Sequence, residues 1–343
     1  MVLNRHRYAL ELLDEAGTRL GQVPVSVDWE QLCEWSVFET RRRCRRAVRE
    51  AEVVTTITPN WHPTLREPFV NSVRVATSVG DGDPLAHDVA TAYFRSAAQE
   101  ASSALVQQGR LTVGERFNYL VTAYLNGAAT VATDDAGLAV EEIDPPLPLR
   151  TRRLAELAGR AVSFNTASTE EFPVYIAESV VEEVTAQAVA AGAMEQGGIL
   201  IGKLFHDESY PEIFLEITAQ IPAPHTRSGT DKLTFTSETW TAVRAAVELR
   251  RQGEIICGSF HNHPYRFWTA AQRPAECHGN RPLAINFFSA DDGLLHRVVF
   301  GKAYCVGLVA TNAEAGMQLS LFGWNQGMIQ ARSFHIIKSN GGH

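Results

Sequence analysis

Long apolar runs are missing from this 343-residue sequence. No stretch approaches 18 uninterrupted apolar positions, so a membrane-spanning helix is excluded as an organising element. The opening MVLNRHRYAL carries no apolar leader, and no secretory signal is read there. Cysteine is sparse and odd in number, five in all, which argues against a disulfide framework. Positive charge is in deficit: 31 Lys and Arg face 39 Asp and Glu, a net charge of -8. A protein that works mainly by gripping phosphate backbones is therefore set aside. Lysine is scarcer still, with only Lys203, Lys232, Lys302 and Lys338 and none in the first 202 positions. A high-GC genome accounts for that skew, and so does life where lysines are being covalently modified. What is present belongs to a folded chain, 45% hydrophobic and 20% charged. The length predicts two domains in a soluble, reduced, cytoplasmic setting, with no nucleic acid and no membrane as partner.

Along the first half, residues 8–13 and 20–27 flank a polar turn containing Gly17 and read as a hairpin. Residues 28–52 follow a helical spacing through Leu32, Trp35 and Phe38, then enter the cluster Arg41-Arg-Arg-Cys-Arg-Arg46. That cluster is either a docking patch for an acidic partner or simply a solvated helix face. Val- and Thr-rich residues 53–80 predict short strands, and Ala-rich residues 88–128 predict helix with a break at Gly109 and Gly114. Trp61-His62-Pro63 has no partner that would make it a site. The proline-rich segment near Asp144 marks an extended linker over 144–170, between an α+β domain in 1–150 and a second domain in 170–343.

The second half alternates helix and strand, as α/β or α+β folds with a largely buried sheet do. Ser179 to Glu182 has the spacing of a capping box, and Val180, Val184, Ala188 and Ala191 line one helical face. Glycines then flank a short buried strand in Glu195-Gln-Gly-Gly-Ile-Leu-Ile-Gly202. Ser237 is placed to cap a helix that stops at Gly253. The next buried strand delivers His261-Asn-His263-Pro264.

Residues two apart on a strand share a face, so His261 and His263 can share a metal. A catalytic zinc wants a third protein ligand and an open position; candidates follow in Ser289-Ala-Asp291-Asp292. A base must also collect the proton of the activated water, and Glu195, at the mouth of a glycine-lined strand, fits. Ser289 has a second reading as a helix N-cap. HExxH is lacking, which excludes a thermolysin-like zinc site, and so is the HxE…PCxxC pattern of nucleoside deaminases. His206, His225, His296 and His335 have no matched partners, and His296 reads as surface or as support behind the ligands. Cys257 and Cys305, in apolar strands, read as core thiols.

The ordered set of Glu195 before Gln-Gly-Gly-Ile-Leu-Ile-Gly, then His261-x-His263-Pro264, then Ser289-x-x-Asp292 resembles the JAMM motif of the JAB/MPN metalloproteases. The resemblance spans about residues 172–335. It implies a mixed sheet flanked by helices, with His261, His263 and Asp292 as zinc ligands, the SxxD spacing selecting Asp292 over Asp291. It also implies that Glu195 is the general acid/base holding the catalytic water and that Ser289 stabilises an oxyanion. Hydrolysis of isopeptide bonds follows, with attack by zinc-bound water and no acyl-enzyme. The implied partners are a ubiquitin-like modifier and its lysine conjugates, together with conjugation enzymes of the same operon in a prokaryote. Two alternatives stay open: a peptidase that trims the C-terminal extension of a ubiquitin-like precursor, and a non-catalytic MPN-type scaffold. The sequence departs from the family at residues 265–288, where a longer segment separates HxHP from SxxD. That insertion, with Phe267, Trp268, Arg273, Cys277 and His278, reads as a lid, a substrate groove or half of a second zinc site. The N-terminal half carries no motif that points to a family and reads as an α+β module that binds the modifier, the substrate or a conjugating enzyme, with substrate recruitment as the expectation.

Overall fold

The computed structural model describes residues 2–43, 53–63, 68–80, 82–125, 147–164, 171–207, 209–210, 212–223, 227–228, 233–268 and 287–339. The chain divides into two compact units, Met1–Pro145 with Gln326–Met328, and Pro146–Asn325 with Ile329–His343. Both mix sheet and helix. No helix among the described residues is long and apolar enough to cross a membrane.

The first unit contains β1 (Val2–Asn4), β2 (His6–Leu13), β3 (Arg19–Val25), α1 (Glu30–Arg43), β4 (Val53–Trp61), β5 (Val70–Val79), β6 (Leu85–Ala90), α2 (Arg95–Gln107) and β7 (Asn118–Leu125). Its seven-stranded sheet runs β1-β4-β5-β7-β2-β3, with β6 also on β5. Leu10 and Leu12 on β2, Ile57 on β4, and Val73 and Val75 on β5 are buried in its core. Among the described residues the Ala-rich stretch is helical over a 3-10 turn at Thr91–Phe94 and over α2, where Ala98, Ala101 and Leu105 supply the buried stripe. At its end β7 takes over, because Tyr119, Val121 and Ala123 alternate across a strand and Val121 and Ala123 bury their side chains against the sheet. In the arginine cluster Arg42 is not solvated: it is 1% exposed and ion-paired to buried Glu39 at 3.2 Å. Arg45 and Arg46 lie outside the described residues.

The second unit contains β8 (Leu149–Thr151), α3 (Leu154–Ala158), β9 (Ala161–Phe164), β10 (Val174–Ala177), α4 (Glu178–Ala191), β11 (Gly197–Asp207), β12 (Glu212–Pro222), β13 (Arg227–Ser228), β14 (Leu233–Thr234), α5 (Ser237–Arg250), β15 (Ile255–His263), α6 (Ala290–Val299), β16 (Val306–Ala313), β17 (Gly316–Asn325), β18 (Met328–Arg332) and β19 (Phe334–Ile337). Ten strands form one mixed sheet in the order β18-β17-β16-β15-β11-β12-β10-β19-β9, with β8 also on β11. At its centre β15 pairs antiparallel with β11 and parallel with β16. β11 is buried almost throughout, so it reads as a continuous apolar run rather than an alternation. Ile199 and Ile201 pack against Val243 of α5 and against Phe300 and Cys305, and each such side chain contributes about 1.5–3 kcal/mol on burial.

Three readings of local structure are corrected here. The expected linker over 144–170 instead carries β8, α3 and β9, because its leucines have a core to enter. Leu157 is fully buried among Tyr175, Phe205, Phe214 and Ile337, and the Asp207 carboxylate accepts the Leu154 N–H at 2.7 Å. Ser179 does not cap α4; the helix starts at Glu178, directly after β10, and its N-cap Ala177 makes no side-chain cap. At α5 the cap is Thr236, one residue before Ser237, and the stop is Arg251 at φ 49° rather than Gly253.

Candidate metal centre

β15 carries two histidines to one place because of a glycine. The β11–β15 register slips between Leu200 and Ile201, which pair with Gly258 and Ile256, so Cys257 is the extra residue of a bulge. Gly258 sits at φ 148°, and a Cβ there would run into the Val306 backbone of the neighbouring strand. Only glycine permits that close approach. Beyond the bulge His261 and His263 project to the same side, with their Nε2 atoms 3.0 Å apart.

The third member comes from α6, 29 positions further on. Ser289 caps that helix, its hydroxyl accepting the Asp292 N–H at 3.1 Å while Asp292 Oδ2 accepts the Ser289 N–H at 2.8 Å. The same Oδ2 lies 3.3 Å from His261 Nε2 and 3.6 Å from His263 Nε2. Ligand atoms of the three residues all fall within 4.8 Å of one another. Tetrahedral zinc with bonds of about 2.0–2.2 Å needs ligand atoms roughly 3.3–3.5 Å apart, close to the three separations found. The donor set of two imidazoles and a carboxylate also suits zinc. Asp291, the rival ligand, is exposed.

Burial sharpens the electrostatics. His261 and His263 are 5% and 2% exposed. For His261, burial lowers the pKa, but the charge and hydrogen bond of Asp292 and the charge of Glu195 outweigh it and hold the ring above its usual value. Burial pushes His263 down to about 4, with the His261 charge adding to the effect against the pull of Asp292. Burial works to raise Asp292, but the two histidines hold its carboxyl far below the usual range. The lone pairs of the three groups thus converge on one point, where a divalent cation could be held.

Glu195 is buried at 5% exposure, in the turn before β11, where Gly197 pairs with His261. Ser289 stands beside Asp292 as its helix cap, so the cap reading describes its contacts. Cys277 and His278 lie outside the described residues, as does most of the insertion. Its two ends are described and line the site: Phe287 stacks on the His263 ring at 4.5 Å between centroids, and Trp268 tilts over it at 5.5 Å. Phe288 lies 6.0 Å from His261. His296 is not a surface group but is 1% exposed among Phe288, Phe300 and Trp324. Cys257 and Cys305 are buried thiols, Cys257 raised well above its usual pKa by burial.

Asn262, passed over in the sequence as the spacer between the histidines, makes three hydrogen bonds to the segment around Glu195. A polar amide on a buried strand between two candidate ligands was the signal available. No protein family matches the sequence, nor does any well-characterised relative. A protein from Desulfitobacterium hafniense, known from its solution structure, is similar at 17% identity over 48% of this chain and 92% of that one. The TM-score of 0.33 is too low to carry an argument about fold or function.

Proposed function

We propose that the second unit is a zinc-dependent isopeptidase that removes a ubiquitin-like protein from lysine conjugates. The observation that carries this reading is the convergence of His261, His263 and Asp292 within 4.8 Å, with the Glu195 charge close enough to act on His261. The motif resemblance to the JAB/MPN metalloproteases supports the substrate class. Zinc held by those three residues would supply Lewis-acid activation of a carbonyl and a water acidic enough to ionise near neutral pH. The Glu195 carboxylate then receives a proton on one oxygen and returns it to the departing lysine amine. The Ser289 hydroxyl, which uses its oxygen to cap α6, keeps its O–H free to donate where negative charge develops. Trp268 and Phe287 crowd the ligands, which favours a substrate segment without side chains, such as paired glycines.

The test begins with bound zinc per chain in the wild type and in His263→Ala. One zinc that is lost in the variant supports the reading, and absence of zinc from both leaves the scaffold alternative. Cleavage is then assayed on a lysine-linked ubiquitin-like conjugate beside a linear fusion, with Glu195→Gln as the inactive control. Cleavage of the fusion alone would replace the isopeptidase by the processing peptidase.

A further inference from the structure

The amide side chain between the two histidines is the one strongly placed group of the site that the chemistry above does not use. Asn262 is 1% exposed. Its Oδ1 accepts the Gln196 N–H at 2.6 Å, and its Nδ2 donates to the Met194 carbonyl at 3.1 Å. Its own N–H donates to the Gln196 carbonyl at 2.9 Å, which extends the β11–β15 ladder by one position beyond the Gly197–His261 pair. The two side-chain bonds straddle a single residue, Glu195.

Strand alternation sends Asn262 to the face opposite His261 and His263. One side chain therefore grips the backbone on both sides of Glu195, whose charge acts on His261. An amide is suited to the task because it offers an acceptor and a donor on one rigid plane. Serine or threonine would reach one of the two backbone groups, and an aspartate would lose the donor.

We infer that Asn262 is a positioning residue that sets the Glu195 carboxylate against the metal ligands. The inference rests on the metal-site reading proposed above. It predicts that metal binding and carboxylate placement can be separated: loss of Asn262 leaves the three ligands in place and moves Glu195.

The experiment uses the full chain loaded with Co2+, whose visible absorption reports what surrounds the bound ion. Four proteins are compared at one pH: wild type, Glu195→Gln, Asn262→Ala and the double variant. All should bind one Co2+. The expected result is that Asn262→Ala reproduces most of the spectral change caused by Glu195→Gln, and that the double variant matches Glu195→Gln alone, as coupled residues do. In the metal-free chain, amide exchange over residues 194–197 should rise by about ten- to a hundredfold in Asn262→Ala, the scale of the two buried hydrogen bonds it loses. Asn262→Ser, which keeps one backbone bond, should fall between, and it stands in if the alanine variant does not fold. An Asn262→Ala spectrum identical to wild type, or additive changes in the double variant, would overturn the inference while leaving the metal site intact. Failure of the wild type to bind Co2+ would remove the metal-site reading and the inference with it.

Discussion

His296 offers a test of the site's interior that needs neither metal nor substrate. The ring is 1% exposed and walled by Phe288, Phe300 and Trp324 with centroids 5.6 to 5.8 Å away. Burial pushes its pKa from 6.5 down to about 4, against a smaller opposing pull from the Cys305 backbone. Below about pH 6.5 the unfolded chain takes up a proton at this position that the folded chain does not, so acid favours unfolding. The loss accrues as pH falls from 6.5 and saturates near the folded value of about 4. Its full size is about 3 kcal/mol, from roughly 1.4 kcal/mol for each pH unit of the gap. In chelator-treated protein His263, also held near 4, adds a similar slope, while His261, whose pKa is raised, works in the opposite direction. The perturbation is therefore His296→Leu, which keeps an apolar side chain of similar size among the aromatic rings. Urea unfolding of both proteins between about pH 7 and about pH 4.5 measures the difference, since every other titrating group is common to the two. The variant should lose less stability than the wild type over that range, by about 2–3 kcal/mol. Parallel curves would refute the argument, because they would mean that the folded ring takes up its proton as freely as the unfolded one.

Four further outcomes follow from the structure. Gly258→Ala should destabilise the second unit by roughly 2–6 kcal/mol in urea unfolding, through the strained φ and the collision with Val306. Gly293→Ala, inside α6 with nothing within 4 Å of the new Cβ, should instead stabilise by about 0.5–1 kcal/mol. Leu157→Ala should cost about 2–5 kcal/mol, the range for emptying a fully buried leucine site; a cost below about 1 kcal/mol would return residues 149–164 to the status of a linker. Zinc at about 100 times its dissociation constant should raise the melting temperature of the wild type by roughly 5–10 °C in calorimetry, and should do nothing for His263→Ala.

Much of the second unit could be read along the chain because its local signals agree with its packing. The apolar Ile199-Leu-Ile201 between glycines reads as a short buried strand, and the period of two in His261-Asn-His263 puts both imidazoles on one side. Ser289 and Asp292 stand three apart at a helix start, and the structure gives that spacing a reciprocal cap as well as an approach to the histidines. Other features were not local. Residues 149–164 look like a linker because proline precedes them, and only the cavity between Phe205, Phe214 and Ile337 explains why Leu157 is ordered there. His296 reads in the sequence as either a surface group or support behind the ligands, and α6 turns it under Phe300 and Trp324. Asn262 looks like a spacer until the chain returns to lay residues 194–196 beside it. The sequence by itself determined which residue types could meet and on which faces they lay, because helix and strand periods follow from local sterics. Only the tertiary structure decided that Asp292 would come within 3.3 Å of His261 and that the Glu195 backbone would be gripped from the opposite face. Those distances depend on where separate elements are packed, and packing is settled by the whole core at once.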